Sequence, residues 1–186
     1  MDKIKVLISI DEPELAELIV KMACLVINRE IAEITLLNVL ETTLAEEELF
    51  LRHPDRFIEH ESKKSVFSKV ELMLEEKGFV YKKTRFEEGS AAKQILKISN
   101  DENFDLIVIG STNKNVLEKI LLGSTSYKVV RESKIPVLII KPDLSIKHKN
   151  IKENFNVLFA TDGSSFAQDA AVGIKNYLDY KRADVT

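Results

Sequence analysis

The sequence predicts an α/β fold built on a parallel sheet, and three observations carry that prediction. Short apolar runs rich in β-branched residues, such as IKVLISI at 4–10 and LIVI at 106–109, alternate with longer stretches of helical periodicity. These runs are mostly apolar, the pattern of strands covered by helices on both faces. One of them stops at Gly110 and leads through a small, polar stretch to Gly123-Ser124-Thr125-Ser126. In open α/β sheets, loops at the carboxyl ends of the strands are where ligands bind. Alternating strands and helices imply right-handed crossovers, but the pattern leaves the order of the strands open.

The elements follow in order. Residues 4–10 read as a central strand, and Asp11-Glu12-Pro13-Glu14 as a helix start with an acidic cap and a first-turn proline. The helix is expected to run to about residue 28, with Leu15, Leu18, Ile19, Met22 and Ala23 on its inner face. Residues 34–40 form the second strand, and 41–48 an acidic, irregular connection. A long amphipathic helix spans 55–77, with Phe57, Val66, Val70 and Leu74 inward, and Gly78 closes it. Residues 79–86 alternate as a third strand at an edge, and Gly89-Ser90 caps a short helix carrying Ile95 and Ile98. After the strand ending at Gly110 come its loop, a helix over 124–133 and a fifth strand, 135–140, whose Pro136 suits an edge.

The chain has 186 residues, enough for one such domain and a remainder too short for another. A net charge of −3, with both signs interspersed, gives no electrostatic footprint for nucleic acid. The single cysteine, Cys24, excludes an intrachain disulfide, fits a reducing compartment and reads as inert core. No stretch approaches the ~18 apolar residues of a membrane helix, and the N-terminus is not a secretory signal, so a cytoplasmic protein is expected. His53 and His60 lack companion ligands, so no metal site is expected among the side chains.

The loop after Gly110 carries the chemistry. Gly123 and the hydroxyl residues after it begin a helix, where free backbone N–H groups and the dipole favour an anion. Glycine lets the backbone approach a phosphate, and hydroxyls add donors. The structural reading of the same residues is a strand-ending turn followed by a helix cap.

This spacing resembles the ATP loop of the universal stress protein (UspA-like) family: glycine, two residues, glycine, nine residues, glycine-serine. The chain supplies Gly110, then Asn113 in place of the second glycine, then Gly123-Ser124, set between DLIVIG and IPVLIIKP. The resemblance covers residues 4–141. It implies a Rossmann-like, open five-stranded parallel sheet of order 3-2-1-4-5, with helices on both faces, so that Asp11 and Gly110 face one crevice. It further implies ATP, with Mg²⁺ or Mn²⁺ on the triphosphate. Asp11 and Val39 would contact the adenosine, Ile109 would line the base pocket, and Gly110, Ser111, Asn113, Gly123, Ser124 and Thr125 would hold the phosphates. Asn113 is the departure from the pattern: it tolerates left-handed backbone but adds bulk beside a phosphate. Lys114 adds a positive charge, and Asn115-Val116-Leu117-Glu118 resembles a capping box.

The opening of the sequence recurs. Val6-Leu7, Asp11 and Ala16 return as Val157-Leu158, Asp162 and Ala167, each 151 residues later. The expected organisation is a domain at 1–142, a lysine-rich linker at 143–155, and the first strand and helix of an incomplete second copy at 156–186.

Three functions follow as expectations. The first is an ATP-binding regulatory module, not an enzyme. The second is a nucleotide-free dimerisation module, paired through the fifth-strand edge. The third is adenylyl transfer or ATP hydrolysis, disfavoured because the His-x-x-His and Ser-Gly-Gly-x-Asp-Ser signatures, a Walker loop and a positioned catalytic base are all missing from the sequence.

Overall fold

The computed structural model describes residues 3–41, 55–110, 123–141, 155–179, 181 and 183–185. The five expected strands form β1 (Ile4–Ser9), β2 (Ala32–Leu40), β3 (Val80–Glu88), β4 (Leu106–Gly110) and β5 (Val137–Ile140). They make one parallel sheet in the order β3-β2-β1-β4-β5, as the resemblance implies. Between them run α1 (Pro13–Val26), α2 (Asp55–Glu76), α3 (Ala91–Asp101) and α4 (Ser124–Glu132).

Alternate strand residues point to opposite faces, so the sheet divides the core in two. On one face Val6, Ile8, Ile34, Leu36 and Val108 pack against α1 and against Phe67, Val70 and Leu74 of α2. On the other, Leu7, Leu37, Val39, Ile107 and Ile109 pack against Ile95 and Ile98 of α3 and Val129 of α4. Helices therefore leave β1 and β4 towards opposite faces, and the crevice opens between those two neighbouring strands.

Several local expectations shift. Asp11 is not the cap of α1: Glu12 is, because Pro13, with its fixed φ and no N–H, takes the first helical position. Asp11 stands in the bend before it. The helix ends at Val26, and its buried stripe is Leu15, Ala16, Ile19, Val20, Ala23 and Cys24, while Leu18 and Met22 are half-buried. That stripe is broad because α1 meets both the sheet and α2. In α2, Val70 and Leu74 are fully buried and Val66 packs half-buried on the same cluster, as expected, while the unexpected core residue is Phe67, whose ring stands edge-on to Phe86, 5.3 Å between centroids. The side chain of Phe57, the connection at 42–48 and the loop at 111–122 lie outside the described residues.

Helix ends obey their terminal chemistry. After α2, Gly78 takes φ of 78° and Phe79 N–H donates back to the Leu74 carbonyl at 3.0 Å, so Phe79 leaves the strand to close the helix. Asn103 repeats this after α3 with φ of 53°, and Phe104 N–H reaches the Ser99 carbonyl at 2.9 Å. Pro136 precedes β5 and contributes only its carbonyl, which accepts from Ile107 N–H at 3.0 Å.

An ion cluster covers the outer part of β3. Glu102 accepts from Lys83 at 3.1 Å and from Arg85, which also pairs with Glu87. Burial pushes the Glu102 carboxyl up, but the Lys83 hydrogen bond and the charges of Arg85, Lys83 and Lys5 outweigh it and hold it below its usual value. A group lowered in the folded state stabilises above its unfolded pKa and loses that contribution as pH falls through the folded one. We expect the stability difference between wild type and Glu102→Gln, followed by urea unfolding, to be constant near neutrality and to close below the ordinary carboxylate value of 4.5. A difference independent of pH would refute the assignment.

The C-terminal unit comprises β6 (Phe155–Val157), α5 (Ser165–Tyr177) and β7 (Ala183–Val185). It exceeds the strand and helix expected. The parallel partner β7 was hidden because Ala-Asp-Val is too short to show a strand period. Phe155, expected in the linker, belongs to β6, and the rest of that segment, 143–154, lies outside the described residues.

Candidate functional site

The site is built from the carboxyl ends of β1, β2 and β4 and the amino end of α4. At the end of β1, Ile10 is completely buried and pinned at both peptide groups. Its N–H donates to the Leu37 carbonyl at 2.9 Å, and its carbonyl accepts from the Asn38 side-chain amide at 2.8 Å. Asp11, exposed, leaves the sheet directly after this clamp.

Asn38 is a residue that sequence reasoning missed. It is a buried amide in the otherwise apolar run LLNVL, flanked by the expected site residue Val39 and bonded to the residue before Asp11. The signal was present as one polar residue near a strand end. Asn38→Leu fills the same space and leaves a buried carbonyl unpaired, which costs about 1–3 kcal/mol. We expect that loss in urea unfolding; an unchanged midpoint would show that the amide bond contributes nothing.

Val39 and Ile109 share the core cluster of the α3/α4 face, at 5% and 4% exposure, so packing already accounts for both. Gly110 is half-buried at the end of β4. A Cβ there would point to the α1 face and lie 2.3 Å from Ile19 Cδ1 and 3.1 Å from Ile19 Cγ1. The close approach of the Ile19 side chain therefore favours glycine here.

Gly123 differs. It is the N-cap of α4 with φ of −58° and ψ of 157°, a conformation open to any residue, and among the described residues a Cβ there meets nothing within 4 Å. Tyr127 N–H donates to the Gly123 carbonyl at 2.9 Å as the first bond of the helix, so the amides of residues 124–126 have no intrahelical acceptor. Ser124 is exposed, Thr125 half-buried and Ser126 buried. Ser111, Asn113 and Lys114, with the capping-box residues 115–118, lie outside the described residues. The structure thus brings Asp11, Val39, Ile109 and Gly110 to one carboxyl edge. Among the described residues no cluster of His, Cys, Asp or Glu could hold a metal ion, and no helix is long and apolar enough to cross a membrane.

Comparison with known proteins gives the relationships of this chain. The model of the universal stress protein family matches residues 4–141. Universal stress protein MJ0531 of Methanocaldococcus jannaschii is 40% identical over 81 residues, 44% of this chain and 47% of that protein, so the match spans about half of the relative. A universal stress protein structure from Archaeoglobus fulgidus DSM 4304 superposes with a TM-score of 0.62 at 27% identity, covering 92% of this chain and 61% of that one. A universal stress protein from Archaeoglobus fulgidus solved in complex with dAMP shares the fold, with a TM-score of 0.52 and 16% identity over 76% of this chain and 100% of that one.

Proposed function

The chain belongs to the universal stress protein family, and we propose on that premise that it is an adenine-nucleotide-binding regulatory module. The nucleotide lies across the crevice between β1 and β4, its phosphates at the amino end of α4. One observation carries the reading. Gly123 is a glycine that neither backbone conformation nor packing among the described residues requires, placed where a helix offers amides to an anion. Gly110, by contrast, is explained by Ile19 alone.

Asp11 suits the adenosine end, since a carboxylate accepts from hydroxyl and amine donors. Val39 and Ile109 offer it an apolar floor. Ser124 and Thr125 hydroxyls with the adjacent amides suit the phosphates, and Ser111 and Asn113 belong to the same loop. The donors fit ATP, and a Mg²⁺ or Mn²⁺ ion on the phosphates would neutralise charge that these neutral groups leave uncompensated. A relative of the same fold holds dAMP, which favours an adenine nucleotide by analogy of fold. The role is regulatory: occupancy changes conformation or partner choice, and no hydrolytic step is assigned.

The test is direct. Freshly purified protein is denatured, and the supernatant is run on ion exchange for adenine nucleotide, followed by calorimetry of emptied protein with Mg-ATP. Near-stoichiometric nucleotide or saturable binding is expected. An empty preparation that also binds no Mg-ATP overturns the reading.

A second reading, a dimerisation module, rests on the other edge of the sheet. β5 is an edge strand with half-buried Val137, Leu138 and Ile139, and α4 beside it exposes Tyr127 and Val130 at 57% and 44%. This apolar strip suits a homodimer, with or without nucleotide. Val137→Lys with Ile139→Lys is expected to convert a dimer to monomer in sedimentation velocity. A doubly substituted protein that still sediments as a dimer would rule the strip out.

A further inference from the structure

The C-terminal unit repeats the order and spacing of β1-α1-β2, with shorter strands. Adding 151 to Ile4, Val26 and Ala32 gives Phe155, Tyr177 and Ala183, the start of β6, the end of α5 and the start of β7. The register is also the same: Ile4 pairs with Ala32 and Phe155 with Ala183, each partner 28 residues on.

The two units meet at equivalent positions. Ile27 and Leu178 form an antiparallel bridge. Asn28 N–H donates to the Tyr177 carbonyl at 3.0 Å, and Asp179 N–H to the Val26 carbonyl at 2.8 Å. Shifting either bond by 151 residues gives the other. Glu30 and Lys181, also equivalent, pair at 3.5 Å. Such reciprocity is the mark of an isologous contact about a twofold axis.

We propose that the corner after α1, residues 26–30, is a self-recognition surface of this βαβ unit, and that its partner is the same corner of the C-terminal repeat, residues 177–181, docked within the chain about a pseudo-twofold axis. Ile27 is buried at 1% and Tyr177 packs on the core cluster of the α1 face, so the contact is continuous with the core of the first unit. Charge favours this pairing over one between two first units: Glu30 meets Lys181 here and would meet another Glu30 there. Both side chains are exposed, so the preference from that pair is small. The axis lies at the carboxyl ends of α1 and α5. The amino ends that follow Asp11 and Asp162 therefore lie away from it, and docking leaves the nucleotide crevice open.

Hydrogen bonds flanking the Ile27–Leu178 bridge make it a non-hydrogen-bonded pair, whose Cα atoms stand about 4.5 Å apart, within reach of a disulfide. In a Cys24→Ala background, Ile27→Cys with Leu178→Cys is oxidised with diamide and run on a non-reducing gel. The expected product is one fast-migrating monomeric species, reversed by dithiothreitol and not formed by either single cysteine variant. A chain that stays reduced, or links only into covalent dimers, overturns docking within the chain. Hydrogen exchange on the unaltered protein gives an independent reading. The amides of Asn28 and Asp179 are expected to exchange at least about tenfold more slowly than unstructured chain; exchange of both at the unprotected rate overturns the proposal.

Discussion

Gly110→Ala is expected to destabilise the protein by about 1–3 kcal/mol, the usual cost of forcing a methyl group into a filled core. The new Cβ would stand 2.3 Å from Ile19 Cδ1. Ile19 is 2% exposed and packed among the residues that join α1 to the sheet, so its terminal methyl turns aside only against packed neighbours. The measurement is a urea unfolding curve, paired with Ile19→Val. That change removes the clashing Cδ1 and alone costs about 0.5–1.5 kcal/mol. In the double variant the two losses should not add, because the methyl group introduced at position 110 occupies space that the shortened side chain at position 19 has vacated. Additive losses would show that Gly110 serves some purpose other than admitting α1.

This bears on how far the sequence could be read. The strand and helix runs were visible as periods, and residues 106–109 and 4–10 do form neighbouring strands. Period does not encode neighbours, however, and the order β3-β2-β1-β4-β5 was available only through the family resemblance. Phe67 was missed for a related reason: the side of a long helix that faces inward depends on its rotation against α1. Asn38 was passed over because a polar residue in an apolar strand has no meaning until its acceptor, the Ile10 carbonyl, is known. Gly110 and Gly123 were read as two parts of one phosphate cradle. Their surroundings separate them, since one has Ile19 against it and the other meets nothing within 4 Å among the described residues. Residue type alone carries no such distinction.

The helix start after Gly123 leads to the prediction with the largest effect on binding. Ser124 is the first residue of α4 and is exposed. Ser124→Asp places a carboxylate at the positive end of the helix dipole, which stabilises the fold by about 0.3–1 kcal/mol. The same charge repels a phosphate held there. Two unit charges about 4 Å apart at a protein surface interact by roughly 1–4 kcal/mol, so the affinity for Mg-ATP is expected to fall by about tenfold or more. Stability and ATP affinity therefore move in opposite directions, a result that general damage to the fold does not produce. Adenosine carries no phosphate, so its affinity should be the same in wild type and variant, while Asp11→Ala should weaken adenosine and ATP alike. Calorimetry with both ligands on both variants separates the two ends of the site. If Ser124→Asp stabilises the protein and leaves Mg-ATP binding unchanged, the phosphates do not lie at α4, and the glycine at 123 needs another cause.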